Sequence, residues 1–238
     1  MSSAPASPSS AARFRRRGVG GALLLGPVLF AAAELTGPEL AGSSAHQVAQ
    51  FAAHRSQQVA SSLLSLATAM VLLIGVLGAV HLIRRRGVAL GHAAAVFCVY
   101  GLVAAHAALA GVNLVFAELG SPRLDRGAMV ALYDTITRDA WLGAPLLLGH
   151  YALVIGVLLL GVALWRGGIG PRWAAVCVVL FPLADVLLSA LPLGEATDWI
   201  SNGFGVVGLG ALGLWVLRLT DADWETPSVT PEPSLATA

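Results

Sequence analysis

Residues 60–87 read ASSLLSLATAMVLLIGVLGAVHLIRRRG, and they decide the fold. No Asp, Glu, Lys or Arg interrupts the run from Ala60 to Ile83, and three arginines follow at once. An uncharged apolar run of about 20 residues matches the hydrocarbon thickness of a bilayer. Hydrocarbon offers backbone amides no water to bond, so such a run must be helical.

Working outward, five further apolar segments follow the same pattern, giving spans at about 19–36, 60–83, 89–117, 144–165, 173–193 and 199–219. The third is long enough to cross with tilt to spare. The runs are continuous rather than alternating apolar and polar, which argues against a barrel. Composition agrees: 57% of the 238 residues are hydrophobic, 11% are charged, and mean hydropathy is +0.78. A soluble domain carries roughly 25% charged residues. The expected fold class is therefore all-α: a polytopic transmembrane helix bundle of about six spans.

The arginines set the orientation. All 14 basic residues are Arg. Ten fall on the side of the N-terminus: Arg13, Arg15, Arg16 and Arg17 before the first span, then Arg84, Arg85, Arg86, Arg166, Arg172 and Arg218. The other side holds Arg55, Arg123, Arg126 and Arg138. This bias places the N-terminus and the C-terminus in the cytoplasm. The absence of Lys, with the Ala and Gly load, suggests a bacterial source and the cytoplasmic (inner) membrane.

Residues 1–18 read as a disordered, Arg-rich cytoplasmic tail and residues 220–238 as a second disordered tail. The arginines before Val19 resemble the basic region of a signal peptide, but the run continues into Glu34-Leu35-Thr36, as an uncleaved first span would. Residues 43–59 predict an amphipathic outer helix running into the second span, with Ser43 or Ser44 as its cap. His46, Gln50, His54 and Gln57 form its polar stripe. Residues 125–140 predict a second outer helix, followed by Trp141 as an interface anchor. Cys98 and Cys177 lie in apolar runs and read as small buried residues.

Polar residues inside the spans are the candidate site. Asp185 lies about eight residues, or roughly 12 Å, from the outer end of the fifth span. A carboxylate at that depth costs a few kcal/mol unless it is paired, protonated or wetted. His150 lies about six residues, or roughly 9 Å, into the fourth span. His106 and Asn113 stand seven residues apart on nearly one face of the third. Glu34 ends the first span, and Ser189 follows Asp185 by one turn. Pro182 precedes Asp185 by three residues, where a kink can open a cavity. Most of these residues fall in the outer half of the bilayer, with His46, His54, Asp198 and Asn202 expected above them in outer loops. The inference is a polar cavity opening outward, roofed by the two amphipathic helices, with Asp185 and His150 as its proton-sensitive pair.

In layout, His46–Gln58 (HQVAQFAAHRSQQ), an apolar span and then HLIRRRG resemble uncharacterised multi-span membrane proteins of actinobacteria. The resemblance implies this topology and no activity.

Four functions fit these residues. The first is binding or transport of a small apolar molecule, with a homodimer supplying a second half because internal repeats are weak. The second is an intramembrane enzyme, a cyclase or isomerase acting on a lipid or isoprenoid, with Asp185 as general acid. The third is a haem or metal protein using the histidines, although no motif identifies a metal ligand set or cofactor. The fourth is a structural or assembly partner. No basic aromatic surface points to nucleic acid.

Overall fold

The computed structural model describes residues 10–38, 42–121, 123–188, 191 and 196–225. Every element among them is helical. The order is α1 (Ser10–Thr36), α2 (Ser44–Ala53), α3 (Arg55–Leu82), α4 (Val88–Gly101), a π-helical segment (Leu102–Ala108), α5 (Leu109–Leu119), α6 (Arg126–Arg138), α7 (Ala140–Gly167), α8 (Arg172–Leu188), α9 (Ala196–Arg218) and α10 (Asp221–Glu225). Five helical stretches are long and apolar enough to cross a membrane: α1, α3, the continuous Val88–Leu119, Gly143–Gly167 within α7, and α9. α8 has 17 described residues, and the rest of the expected 173–193 span lies outside the described residues.

The long helices close into a ring. α1 packs between α3 and α9, α3 against the α4–α5 rod, that rod against α7, α7 against α8, and α8 back against α9. Glycines permit the closest approaches. A Cβ on Gly208 of α9 would lie 2.9 Å from the Val178 amide of α8, and one on Gly213 would lie 2.7 Å from the Gly20 carbonyl of α1. Small residues at helix interfaces let backbones meet where lipid supplies no hydrophobic drive. One end of the ring is a continuous apolar core containing Leu23, Leu72, Leu160, Val178 and Leu212. The outward face is apolar as well, with Met70, Val96 and Leu187 exposed. Apolar surface inside and out is what hydrocarbon solvent requires.

Turn chemistry sets the hairpins. Gly87 (φ 82°) precedes α4 and Gly168 (φ 64°) ends α7, both in the left-handed region. After Gly168, the Ile169 amide donates to the Leu164 carbonyl at 3.0 Å, as glycine C-caps do. At the opposite end, the His46 amide donates to Ser43 Oγ (3.4 Å), the Ala128 amide to Asp125 Oδ2 (2.7 Å) and the Trp141 amide to Asp139 Oδ1 (2.8 Å). These satisfy first-turn donors of α2, α6 and α7.

Several expectations are corrected. Residues 10–18 are the opening turns of α1 rather than a disordered tail, and Arg16 is held there by bonds to Asp221 (3.1 Å) and to the Leu217 carbonyl (2.5 Å). Residues 221–225 form α10, with Trp224 buried against the core. Residues 1–9 and 226–238 lie outside the described residues. The helix expected over 43–59 is broken at His54 (φ −118°, ψ 29°). The break lets α2 turn aside, so that Val48 and Phe51 pack on Phe116 and Leu119 of α5 and Tyr133 of α6. Gln47 accepts from the Tyr133 hydroxyl, and Ser44 donates to Asp134. Burial, with the Asp134 charge adding to it, pushes the Tyr133 phenol above its ordinary value.

Candidate functional site

The half of the ring toward α2 and α6 encloses a cavity of about 510 Å³. That volume lies within the usual range of small-molecule sites, about 300–1,000 Å³. Each of the six packed units contributes polar lining: Glu34 from α1, Ser61 and Ser65 from α3, His106 and Asn113 from the α4–α5 rod, His150 from α7, Asp185 from α8, and Asp198 and Asn202 from α9. Five of the six residues singled out in the sequence therefore share one cavity. The sixth, Ser189, lies outside the described residues.

Local structure explains how each side chain reaches the space. The rod changes from α to π geometry at Leu102–Ala108, and His106 lies in that segment. A π turn inserts an extra residue and re-aims the side chains beside it, which is why such turns recur at functional sites. His106 meets the edge of Phe30 with ring centroids 5.0 Å apart. Phe30 meets Phe181 edge-to-face at 5.5 Å. Phe30 and Phe181 line the chamber and also pack against the apolar core. Pro182 is buried in the same wall, one turn before Asp185. Its ring removes a backbone hydrogen bond from α8 at the level of the cavity.

The polar groups face the chamber without protein partners to spare. Ser61 and Ser201 donate to backbone carbonyls of Ala33 (2.8 Å) and Asp198 (3.3 Å). Glu34, Asp185 and Asp198 make no ion pair with any arginine among the described residues; the arginine-paired acids there are Glu118, Asp134, Asp221 and Glu225. Asp185 lies within electrostatic reach of His150 and Asp198, and Glu34 within reach of Asp185 and Asp198. Among the described residues no three His, Cys, Asp or Glu side chains are grouped to hold a metal ion.

Two expectations about the site change. Asp198 and Asn202, placed in outer loops from sequence, lie in the first turns of α9, and Asn202 is only 7% exposed. No described lining residue belongs to α2 or α6, so these helices do not roof the chamber. Their apolar faces are spent on each other and on α5. His46 bonds instead to Gln50 at 3.0 Å. Ser61, Ser65 and Ser201 were missed because serine is common in ordinary spans; only their shared depth with Glu34 and Asp185 marked them.

Comparison with family models, curated proteins and solved structures finds no match for this chain. The fold and the cavity define it as a multi-pass helical membrane protein with a polar chamber at one end.

Proposed function

We propose that this protein binds or transports a small, largely apolar molecule through its chamber. It is read as a six-span protein of a bacterial cytoplasmic membrane, with α8 as the sixth span, both termini cytoplasmic and the chamber open to the outer side. The arginine bias supports that orientation, because the arginine-rich turns lie at the end opposite the chamber. The observation that carries the functional reading is the convergence of Glu34, His106, Asn113, His150, Asp185 and Asn202 on one space of ligand size. Polar groups inside hydrocarbon are costly. Assembling them from every packed helix, around a space rather than around one another, favours a binding role over a packing role.

The test is Asp185→Asn in the native host, scored for both abundance and phenotype. The expected result is normal abundance with the phenotype of a deletion. Abundance falling in step with phenotype would assign Asp185 to folding and overturn the reading.

A further inference from the structure

We infer that the chamber takes a lipophilic cation: a protonated amine or onium ion whose charge sits among Glu34, Asp185 and Asp198 and whose apolar body rests on Phe30 and Phe181. The inference rests on the binding function proposed above and specifies its ligand.

Three observations carry it. The first is the sign of the lining. It contains three carboxyl groups against two imidazoles, His106 and His150, and, among the described lining residues, no arginine. The arginines that pair with acids among the described residues are at other sites, at the α1–α10 junction, on α3 beside α5 and on α6, and within the chamber the basic group in electrostatic reach of Asp185 is His150. Carboxylates near one another disfavour each other's charge, and an entering cation relieves that repulsion.

The second is Asn202. It is more than nine-tenths buried, lines the chamber, and has no hydrogen-bond partner among the described residues. The amide opens onto the chamber and is free to bond what enters it. Its carbonyl oxygen accepts a hydrogen bond from an ammonium N–H, or offers its dipole to an onium charge.

The third is the wall. The edge-to-face packing of Phe30 and Phe181 sets the two ring planes at 89°, and aromatic faces attract cations. The remaining lining includes Leu109, Leu153, Val154 and Val157 beside the serines, Asn113 and the two histidines. Its aliphatic part suits an apolar body attached to the charge. A metal ion would want three converging ligands, which the described residues do not provide.

The experiment uses the full-length protein in lipid nanodiscs, with empty nanodiscs as background. Three probes of similar shape are titrated at neutral pH: tetraphenylphosphonium (cationic), triphenylphosphine oxide (neutral) and tetraphenylborate (anionic). The cation is expected to bind saturably and at least about tenfold more tightly than the neutral probe, with no saturable binding of the anion. Asp185→Asn and Glu34→Gln should each weaken the cation about tenfold and leave the neutral probe unchanged; unchanged neutral binding also shows that the variants fold. Equal binding of cation and neutral probe, indifferent to both substitutions, would overturn the cationic ligand while leaving an apolar-molecule chamber standing. Saturable binding of none of the three would overturn both readings.

Discussion

Two residues show how the same physics serves opposite ends of the molecule. Asn202 lines the chamber with no side-chain hydrogen bond to the described residues, so its amide is available to a ligand. Asn202→Leu keeps the volume and removes an amide that bonds no described residue, so the fold loses no hydrogen bond by the change. The expected outcome is an unchanged or raised unfolding midpoint together with weaker probe binding; a clear loss of stability would mean the amide is bonded within the fold. Asp221, at the other end, is paired to Arg13 (3.3 Å) and Arg16 (3.1 Å). Burial alone raises its carboxyl, and the two guanidiniums more than offset that, holding it below its ordinary value of 3.8. A depressed folded value means protons bind the docked form more weakly. The pairing is therefore complete above the ordinary value and lost as pH falls through the lowered one. In a His81→Gln background, which removes the imidazole lying 5.4 Å from the Trp224 ring, fluorescence assigned to Trp224 by difference from Trp224→Phe should hold steady from pH 7 to about 4 and change only on further acidification. A transition near pH 6 would assign the docking to another group.

At the scale of elements, function depends on how closely helices can approach. α8 carries Asp185 and Pro182, and α9 carries Asp198 and Asn202, so the α8–α9 contact sets the geometry of two walls at once. Gly208 makes that contact: an added Cβ would lie 2.9 Å from Cys177 Cβ and 3.0 Å from the Ala174 carbonyl. Gly208→Leu must push the helices apart, and overpacking of this kind costs about 1–3 kcal/mol. Expected readouts are a lower thermal midpoint and weaker probe binding in parallel, whereas an unaffected protein would show that α8 can slide without cost. The π-helical segment acts differently. It re-aims one rod without separating it from its neighbours, so that His106 and Asn113 both reach the chamber. Its position is not legible in LVAAHAA, which contains neither proline nor glycine.

For the whole molecule, the two ends of the bundle are chemically unlike. One gathers Arg13, Arg15, Arg16 and Arg84 around α10, with Arg84 bonding the backbone of Trp224 (3.3 Å) and Glu225. The other holds the chamber, flanked by α2 and α6 on α5. This asymmetry yields a topological prediction. In a background lacking Cys98 and Cys177, Ser121→Cys should react with a membrane-impermeant maleimide in intact spheroplasts, and Arg85→Cys should react only after lysis. The reverse pattern would invert the orientation and turn the chamber toward the cytoplasm.

The helical class, the five most apolar spanning stretches and the presence of Asp185, His150, His106, Asn113 and Glu34 as polar residues within apolar segments were legible in the residues themselves. Hydrocarbon imposes those features segment by segment: run length decides crossing, and an isolated polar side chain declares its own cost. What the segments do to one another was not legible. Which faces meet, whether five polar groups converge, and whether α2 and α6 cover the chamber or pack aside depend on contacts between residues far apart in the chain. Those contacts are set by glycines that admit a neighbour's backbone and by a π turn without a sequence signature. Only the assembled ring turned a list of costly side chains into a single cavity.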